Sequence, residues 1–223
     1  MNQLAKRQGV IALTIIFAVL VIDQIVKIWV KTHMCLDESI QVTDWFYIRF
    51  IENSGMAWGM TFFNKIVLSL FRIIAVILIG GFIWKLIKKG KSSSLYIILL
   101  SMVLAGAAGN IIDSMVYGLV FNGSSQFFVS YFVPFGTGYG EFLTGKVVDM
   151  FYFPLITSTW PNWVPLIGGQ QFTFFNAIFN VADASISVGV ICLLLFCRKE
   201  LALMTEKSNK KNNDECVSDK KSE

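Results

Sequence analysis

The chain has 223 residues, of which 55% are hydrophobic and 15% are charged, and its formal net charge is +4. Water-soluble domains carry about 25% charged residues, so this composition excludes an ordinary soluble domain and indicates a membrane protein. The cations flank apolar stretches instead of forming one basic face, so we expect them to report membrane topology and expect no nucleic-acid partner.

Four stretches are long and apolar enough to cross a membrane, for which a helix needs roughly 20 apolar residues. They lie at about residues 10–30, 66–87, 95–117 and 174–196. Lysine and arginine residues precede the first stretch, fill the link between the second and the third, and follow the fourth. The positive-inside rule therefore predicts an all-α membrane protein with four transmembrane helices and both termini in the cytoplasm.

The two loops predicted to lie outside are residues 32–65 and 118–173. The first has a segment in which apolar and polar residues alternate and a segment rich in aromatic residues. Both predict a small β-containing region on the membrane surface. The second is long and rich in aromatic residues, which is typical of anchoring at a membrane interface. We expect residues 1–199 to form one membrane domain, with residues 200–223 as a disordered cytoplasmic tail.

The first stretch also resembles a secretory signal peptide, because Lys6 and Arg7 precede it. However, it is too long, and it carries Asp23 and Lys27 where a signal peptide has small residues for cleavage. We therefore expect it to be retained as a transmembrane helix.

Cysteine and histidine residues are few and scattered. The four cysteines form no CxxC pair, and His33 is the sole histidine. These residues predict neither a structural zinc site nor catalysis by a serine or cysteine paired with histidine. We expect no metal and no other cofactor.

Acidic residues inside the apolar stretches are the strongest indication of function, because a charge at membrane depth costs about 2.5–3.5 kcal/mol. Asp183 follows Asn180 by three residues in the fourth stretch, and we expect Asn176 one turn earlier on the same helix face. Asp113 follows Asn110 with the same spacing in the third stretch. Since the third and fourth helices are predicted to run antiparallel, the two pairs can meet at the outer side.

Two further acids complete this group. Asp23 lies in the first stretch with Lys27 as its i+4 partner, and Asp149 lies in the second outer loop. Two carboxylates held close together share a proton, so one can take a proton from water while the other polarises a carbonyl. A structural interpretation is also open: Asp23 and Lys27 as an ion pair, Asn110 as a contact between helices, and Asp149 as a loop acid.

Five motifs, in this order along the chain, resemble those of lipoprotein signal peptidases, the type II signal peptidases of bacterial inner membranes. They are Asp23-Gln24-Ile25-Val26-Lys27, Glu52-Asn53-Ser54-Gly55-Met56-Ala57-Trp58-Gly59, Gly109-Asn110-Ile111-Ile112-Asp113, Gly145-Lys146-Val147-Val148-Asp149 and Phe179-Asn180-Val181-Ala182-Asp183. The resemblance covers roughly residues 15–197.

The resemblance implies that Asp149 and Asp183 are a catalytic pair. It implies an aspartic endopeptidase that removes the signal peptide from diacylglyceryl-modified prolipoproteins, cleaving before the lipidated cysteine. The active site is then expected on the outer, periplasmic side of the inner membrane. Membrane lipids are expected contacts, and we expect a monomer. It also implies supporting roles for Asp23, Asn53, Asn110, Asp113 and Asn180. We add Lys27, Gly55 and Asn176 as further supporting or substrate-binding candidates.

The chain departs from the family pattern in two places. The family usually has arginine directly after the third-span aspartate, where this chain has Ser114, so that cation is absent or comes from elsewhere, such as Arg72 or Lys146. About two dozen additional residues also separate the third-span motif from Asp149. We interpret them as an insertion, residues 119–144, and assign the catalytic role to Asp149 instead of Asn122, which ends an earlier similar segment. We hypothesise that aromatic residues of the insertion widen or cover the cleft.

Two other classes of function fit some of these features. A proton- or cation-coupled transporter also uses acids within the membrane, but four spans without repeated halves or broken helices argue against one. In a non-catalytic membrane scaffold, the acids would be structural. Cleavage of a diacylated prolipoprotein distinguishes the protease from both.

Overall fold

The computed structural model of the protein describes residues 3–54 and 65–202. Its helices are α1 Gln3–His33, α2 Lys65–Lys89, α3 Ser94–Ile112, the short α4 Gly118–Val120 and α5 Val181–Phe196. A π-helical turn, Asp113–Tyr117, joins α3 to α4. The strands are β1 Ser39–Thr43, β2 Phe46–Asn53, β3 Val147–Tyr152, β4 Ile156–Thr159, β5 Gln171–Phe174 and β6 Ile178–Phe179.

Two predicted features fall partly or wholly outside the described residues. Gly55, one of the candidate site residues, lies in the range 55–64, which is not described. Of the predicted disordered tail, only residues 200–202 are described, and these are helical.

Three described helical segments are long and apolar enough to cross a membrane: α1, α2 and the continuous stretch Ser94–Val120. The predicted spans at residues 10–30, 66–87 and 95–117 lie within them. The fourth apolar helix, α5, has 16 residues. The predicted boundary at residue 174 is wrong, because α5 begins seven residues later, at Val181.

Asn180 determines where α5 begins. Its backbone is extended, and its side chain accepts a hydrogen bond from the backbone N–H of Asp183, which is an N-cap. Immediately before it, β6 pairs with β3. A short apolar run is compatible with either a strand or a helix, so the composition of residues 174–179 could not identify the strand. The expectation that Asn176 lies on the same helix as Asn180 is therefore also wrong.

α3 lies at the centre of the helices and packs against α1, α2 and α5. Its approach to α5 is close, because a Cβ at Gly106 would lie 2.3 Å from the carbonyl oxygen of Ala182. Near the start of α3, Tyr96 and Ile97 form a buried apolar cluster with residues of the other helices. Large apolar side chains on the opposite faces of α1, α2 and α5 are exposed, as expected for surfaces that face lipid.

At the end of the bundle where α1 ends and α5 begins, four strands form an antiparallel sheet in the order β1-β2-β3-β6. The strands predicted in the first outer loop are present as β1 and β2. Those of the second outer loop were not predicted, and two of them, β4 and β5, form a separate two-stranded sheet. Phe50, Val148 and Met150 of the larger sheet are fully buried and pack with residues of α1 and with Tyr117.

The insertion, residues 119–144, leaves the helices and returns to the same place. The N–H of Gly140 donates to the carbonyl of Gly118 at 2.9 Å, and the N–H of Gly145 donates to the carbonyl of Ser114 at 2.9 Å. A Cβ at Gly145 would lie 2.2 Å from the carbonyl oxygen of Asp113. The chain therefore resumes directly beside the π-helical turn, and β3 begins two residues later.

This close return leads to a stability prediction. Gly145→Ala places a Cβ against the backbone atoms of Asp113 and Gly118, which cannot rotate away. We expect it to cost about 1–3 kcal/mol, as overpacking does, and to lower the midpoint of thermal unfolding in detergent micelles. Gly123→Ala is the matched control within the insertion, since its Cβ would meet nothing closer than 3.8 Å. Equal midpoints for the two variants would contradict the proposed close contact.

Candidate active site

A buried lysine stands at the centre of the polar residues. The ammonium of Lys27 lies 2.8 Å from Oδ2 of Asp23 and 2.9 Å from Oδ2 of Asp113, and all three side chains are fully buried. It donates a third hydrogen bond, of 2.9 Å, to Oδ1 of Asn110. Since an ammonium has three protons, every donor of Lys27 is used.

The two carboxylates beside Lys27 hold other elements of the fold in place. Asp23 accepts a hydrogen bond of 2.9 Å from the backbone N–H of Ala182, in the first turn of α5. This position is favourable for a negative charge, because the helix dipole is positive at its N-terminus. Asp113 accepts a longer one, of 3.4 Å, from the N–H of Val148 in β3. The buried ion cluster of Asp23, Lys27 and Asp113 thus joins α1, α5, β3 and the π-helical turn.

Lys27 also determines how the amide of Asn110 is oriented. An ammonium can only donate, so the carbonyl oxygen of Asn110 faces Lys27, and its NH₂ group points the other way. That NH₂ group donates to Oδ1 of Asp183 at 2.8 Å.

Asn180 is oriented by the start of its own helix. Its Oδ1 accepts from the N–H of Asp183 at 2.9 Å, so its NH₂ group faces the sheet. There it donates to Oδ1 of Asp149 at 2.7 Å, and it also reaches Oδ1 of Asn110 at 3.1 Å. The two asparagines therefore connect Asp149 to Asp183 through direct hydrogen bonds. The two Asn-x-x-Asp pairs meet, as the antiparallel helices predict.

Asp149 lies in β3 with its carboxylate almost fully buried. Asn53, on the neighbouring strand β2, donates to its Oδ2 at 3.3 Å. Burial and the negative charge of Asp183 raise the pKa of Asp149 to about 7, although the hydrogen bonds from Asn53 and Asn180 act in the opposite direction. A carboxyl that titrates near neutral pH beside a second carboxyl can give and take a proton under physiological conditions.

Several residues singled out in the sequence lie apart from this group. The Oδ1 of Asn176 accepts from the hydroxyl of Tyr152 at 3.0 Å, in an exposed position. The side chain of Asn122 bonds Ser130 and Tyr131, within the insertion. The hydroxyl of Ser114 donates to the carbonyl of Asn110 at 3.1 Å, so it is already used within its own helix.

Two polar residues that the sequence did not single out join the ion cluster. The NH₂ group of Gln24 donates to Oδ1 of Asp113 at 2.9 Å, and its carbonyl oxygen accepts from the hydroxyl of Tyr117 at 3.1 Å. The sequence carried a signal for Gln24, since it is a polar residue next to Asp23 within an apolar helix.

A second buried ion pair, between Lys31 and Glu52, was also missed. Lys31 is fully buried, and Lys146 reaches the other oxygen of Glu52 at 3.1 Å. Burial alone would raise the pKa of Glu52, but the charge of Lys31 and its hydrogen bond hold that pKa below its usual range. Lys31 also donates to Ser124 at 2.8 Å, so this pair connects α1, the end of β2 and the insertion.

Asp23, Lys27 and Lys31 recur every four residues, which places all three on one face of α1.

The described residues 3–54 and 65–202 include no group of three or more histidine, cysteine, aspartate or glutamate side chains arranged to hold a metal ion. The acidic side chains of the site are hydrogen-bonded to lysine and asparagine donors instead.

Comparisons with known proteins identify relatives over most of the chain. Residues 15–198 match the family described as signal peptidase (SPase) II. A lipoprotein signal peptidase of Porphyromonas gingivalis is 44% identical over 199 residues, which cover 89% of this chain and 88% of the relative. A lipoprotein signal peptidase of Amoebophilus asiaticus is 35% identical, covering 84% of this chain and 77% of the relative.

Two solved structures of bacterial membrane enzymes, both obtained by the in meso method, share the fold. One is 24% identical with a TM-score of 0.54, over 89% of this chain and 90% of the other. The second is 25% identical with a TM-score of 0.53, over 82% of this chain and 90% of the other. The family match across most of the chain, together with the identity to the relatives, shows that the chain belongs to the signal peptidase II family.

Proposed function

We propose that the protein is an aspartic endopeptidase that removes the signal peptide from diacylglyceryl-modified prolipoproteins, cleaving before the lipidated cysteine. Asp149 and Asp183 are the catalytic pair of this proposal. The observation that carries it is the hydrogen-bonded path from Asp149 through Asn180 and Asn110 to Asp183. This path fixes the orientations of both carboxyls, and burial together with the charge of Asp183 raises the pKa of Asp149 to about 7.

In this mechanism the pair shares one proton. The ionised carboxylate takes a proton from a water molecule, whose oxygen attacks the carbon of the scissile carbonyl, while the protonated carboxyl gives its proton to the carbonyl oxygen. A tetrahedral diol results. When the C–N bond breaks, the proton taken from water passes to the departing nitrogen, and a diol proton returns to the other carboxylate.

The remaining polar residues of the site position this pair. Asn110 and Asn180 donate to the two carboxylates, and the ion cluster of Asp23, Lys27 and Asp113 holds Asn110 and the start of α5. Asn53 binds the second oxygen of Asp149. We assign no positioning role to Asn176, whose side chain bonds Tyr152 instead.

The proposed setting is the bacterial inner membrane, with α1, α2, α3 and α5 as four spans and both termini in the cytoplasm. The basic residues Lys88 and Lys89 in the last turn of α2 support this orientation, because they lie at the end of the bundle opposite the sheet. The catalytic pair then lies on the periplasmic side. The short helix α5, of 16 residues, extends about 24 Å at 1.5 Å per residue, somewhat less than the roughly 30 Å of the hydrocarbon core.

The proposal treats residues 1–199 as one membrane domain that acts as a monomer in contact with lipids. Exposed apolar side chains such as Phe71 and Phe196 cover the surfaces of the helices and support the lipid contact. A substrate that carries two acyl chains can place them along such surfaces while its peptide reaches the sheet.

The first prediction concerns the pair itself. Asp149→Asn and Asp183→Asn keep the size of each side chain but remove its ability to transfer a proton, so we expect each to lower cleavage at least about 100-fold. The measurement is the rate of cleavage of a diacylglyceryl-prolipoprotein by purified enzyme. Asp44→Asn, at an exposed aspartate between β1 and β2, is the matched control and should cleave normally. Full activity in either Asp149→Asn or Asp183→Asn would refute the catalytic pair.

A second prediction concerns pH. Since the working pair holds one proton, activity falls as the pH rises through the pKa at which that proton is lost, which is about 7 for Asp149. The hydrogen bond from Asn53 lowers this pKa, so Asn53→Ala should raise it and move the alkaline fall in kcat to higher pH. The control Gln126→Ala removes an exposed amide that bonds Asp37 and should leave the profile in place. A shift of the alkaline limb to lower pH in Asn53→Ala would count against the assignment of Asp149.

A further inference from the structure

In its first two turns, helix α2 has one apolar side and one polar side. Leu70, Phe71 and Ile74 are 47%, 68% and 56% exposed, as expected for residues that face lipid. The polar face carries Lys65, Ser69 and Arg72, which follow one another at intervals of four and three residues and therefore share one side of the helix. We call these three residues the polar face of α2.

The polar face of α2 packs against the chain just before β3, the strand that carries Asp149. Ser69 is 1% exposed, and its hydroxyl donates to the carbonyl of Leu143 at 3.1 Å, just before the chain enters β3. Arg72 lies one turn further along α2, and helical side chains lean toward the N-terminus of their helix. The negative charges of Asp183, Asp149 and Asp113 act on Arg72, and that of Asp183 acts most strongly.

Both cations on this face lack a hydrogen-bond acceptor among the residues that the structure describes. The nitrogen of Lys65 is buried and has no hydrogen-bond partner. The guanidinium of Arg72 is half-buried, and no hydrogen bond or ion pair joins it to residues 3–54 or 65–202. An unsatisfied buried cation is costly, so Lys65 indicates an acceptor that arrives with a ligand, and the half-buried guanidinium of Arg72 on the same face is available to the same ligand.

The other lysines of this region are already paired. Lys27 is bound by Asp23 and Asp113, and both Lys31 and Lys146 are bound by Glu52. Lys65 and Arg72 are therefore better candidates to meet a substrate than Lys146, which Glu52 already binds.

The charges around the face favour a neutral ligand group. Asp183, Asp149 and Asp113 already place negative charge near Arg72, whereas the strongest charge acting on Lys65 is that of Arg72, followed by Asp113, Lys146 and Glu52. A further anion would be repelled by these carboxylates. A carbonyl oxygen accepts hydrogen bonds from a guanidinium or an ammonium without adding a charge.

We propose that the polar face of α2 binds carbonyl oxygens of the substrate beside the catalytic pair, with Arg72 as its principal donor. This proposal rests on the proposed function. The carbonyl has two possible sources in the substrate, which are the ester groups of the diacylglyceryl moiety and the peptide groups next to the scissile bond. Arg72 has a role distinct from the catalytic pair, because it holds the substrate and transfers no proton.

The experiment compares two lipopeptide substrates with the same peptide, one carrying a diacylglyceryl group with ester links and one with ether links, which lack the carbonyls. Steady-state kcat and KM are measured in mixed micelles for the wild type, Arg72→Gln and Lys65→Gln. Lys85→Gln, at an exposed lysine on the other end of α2, is the control. A charge-assisted hydrogen bond is worth roughly 10-fold to 100-fold, so we expect a loss of that size in kcat/KM for Arg72→Gln and a smaller one for Lys65→Gln.

The pattern of loss identifies the source of the carbonyl. A loss on the ester substrate alone, with the wild type also weaker on the ether substrate, assigns Arg72 to the ester groups. If Arg72→Gln loses kcat/KM equally on both substrates and its pH profile is unchanged, Arg72 binds a peptide carbonyl. Either result supports the proposal.

Two results would overturn it. In one, Arg72→Gln matches the wild type on both substrates. In the other, Arg72→Gln shifts only the pH profile and keeps the wild-type kcat/KM at its own optimum, which would make Arg72 a counter-charge for the acids. If Arg72→Gln does not fold, Arg72→Lys and Lys65→Gln are compared with the wild type on the same two substrates. A wild type that cleaves neither substrate would refute the proposed function instead.

Discussion

The arrangement of the site depends on one buried ammonium. Lys27 shares its three protons among two carboxylates and one amide oxygen, and each of these groups belongs to or contacts a different element. Asp23 reaches the first turn of α5, Asp113 reaches β3, and Asn110 reaches Asp183. Replacing such a cluster by apolar residues would not necessarily destabilise a protein, because buried ions lose their hydration. What the cluster provides is orientation: it fixes which way the amides point.

Because the amides are held in fixed orientations, the two acidic side chains, Asp149 and Asp183, have different surroundings. Asp183 sits in the first turn of a helix, whereas Asp149 sits in a strand, is almost fully buried and has a pKa raised to about 7. The asparagines between them donate to both carboxylates without supplying a charge that would hold both ionised. A lysine in place of either asparagine would favour the doubly ionised pair, which has no proton to give. The separation of the Lys27 ammonium from the acidic pair by one layer of amides therefore has a chemical reason.

Much of this arrangement could be predicted from local sequence patterns. Three helices follow from long apolar stretches bounded by cations, and the Asp23–Lys27 pair follows from i, i+4 spacing. The start of α5 was missed because residues 174–179 are apolar enough for a helix, although Asn180 three residues before Asp183 is also a capping pattern. The pairing of Lys31 with Glu52 could not be predicted, because it depends on where β2 crosses the end of α1. The strands of the second loop were missed because its aromatic residues are spread along the loop and do not mark individual strands.

The insertion has a consequence for how members of this family can differ. Its two ends are fixed to each other by backbone hydrogen bonds at Gly118 and Ser114, so the length of chain between them has little effect on where β3 begins. Longer loops cost little additional closure entropy, since that cost rises only with the logarithm of length. Phe127 at the tip is 91% exposed. The length and composition of the loop at this junction can therefore vary while β3 and the acidic pair stay in place.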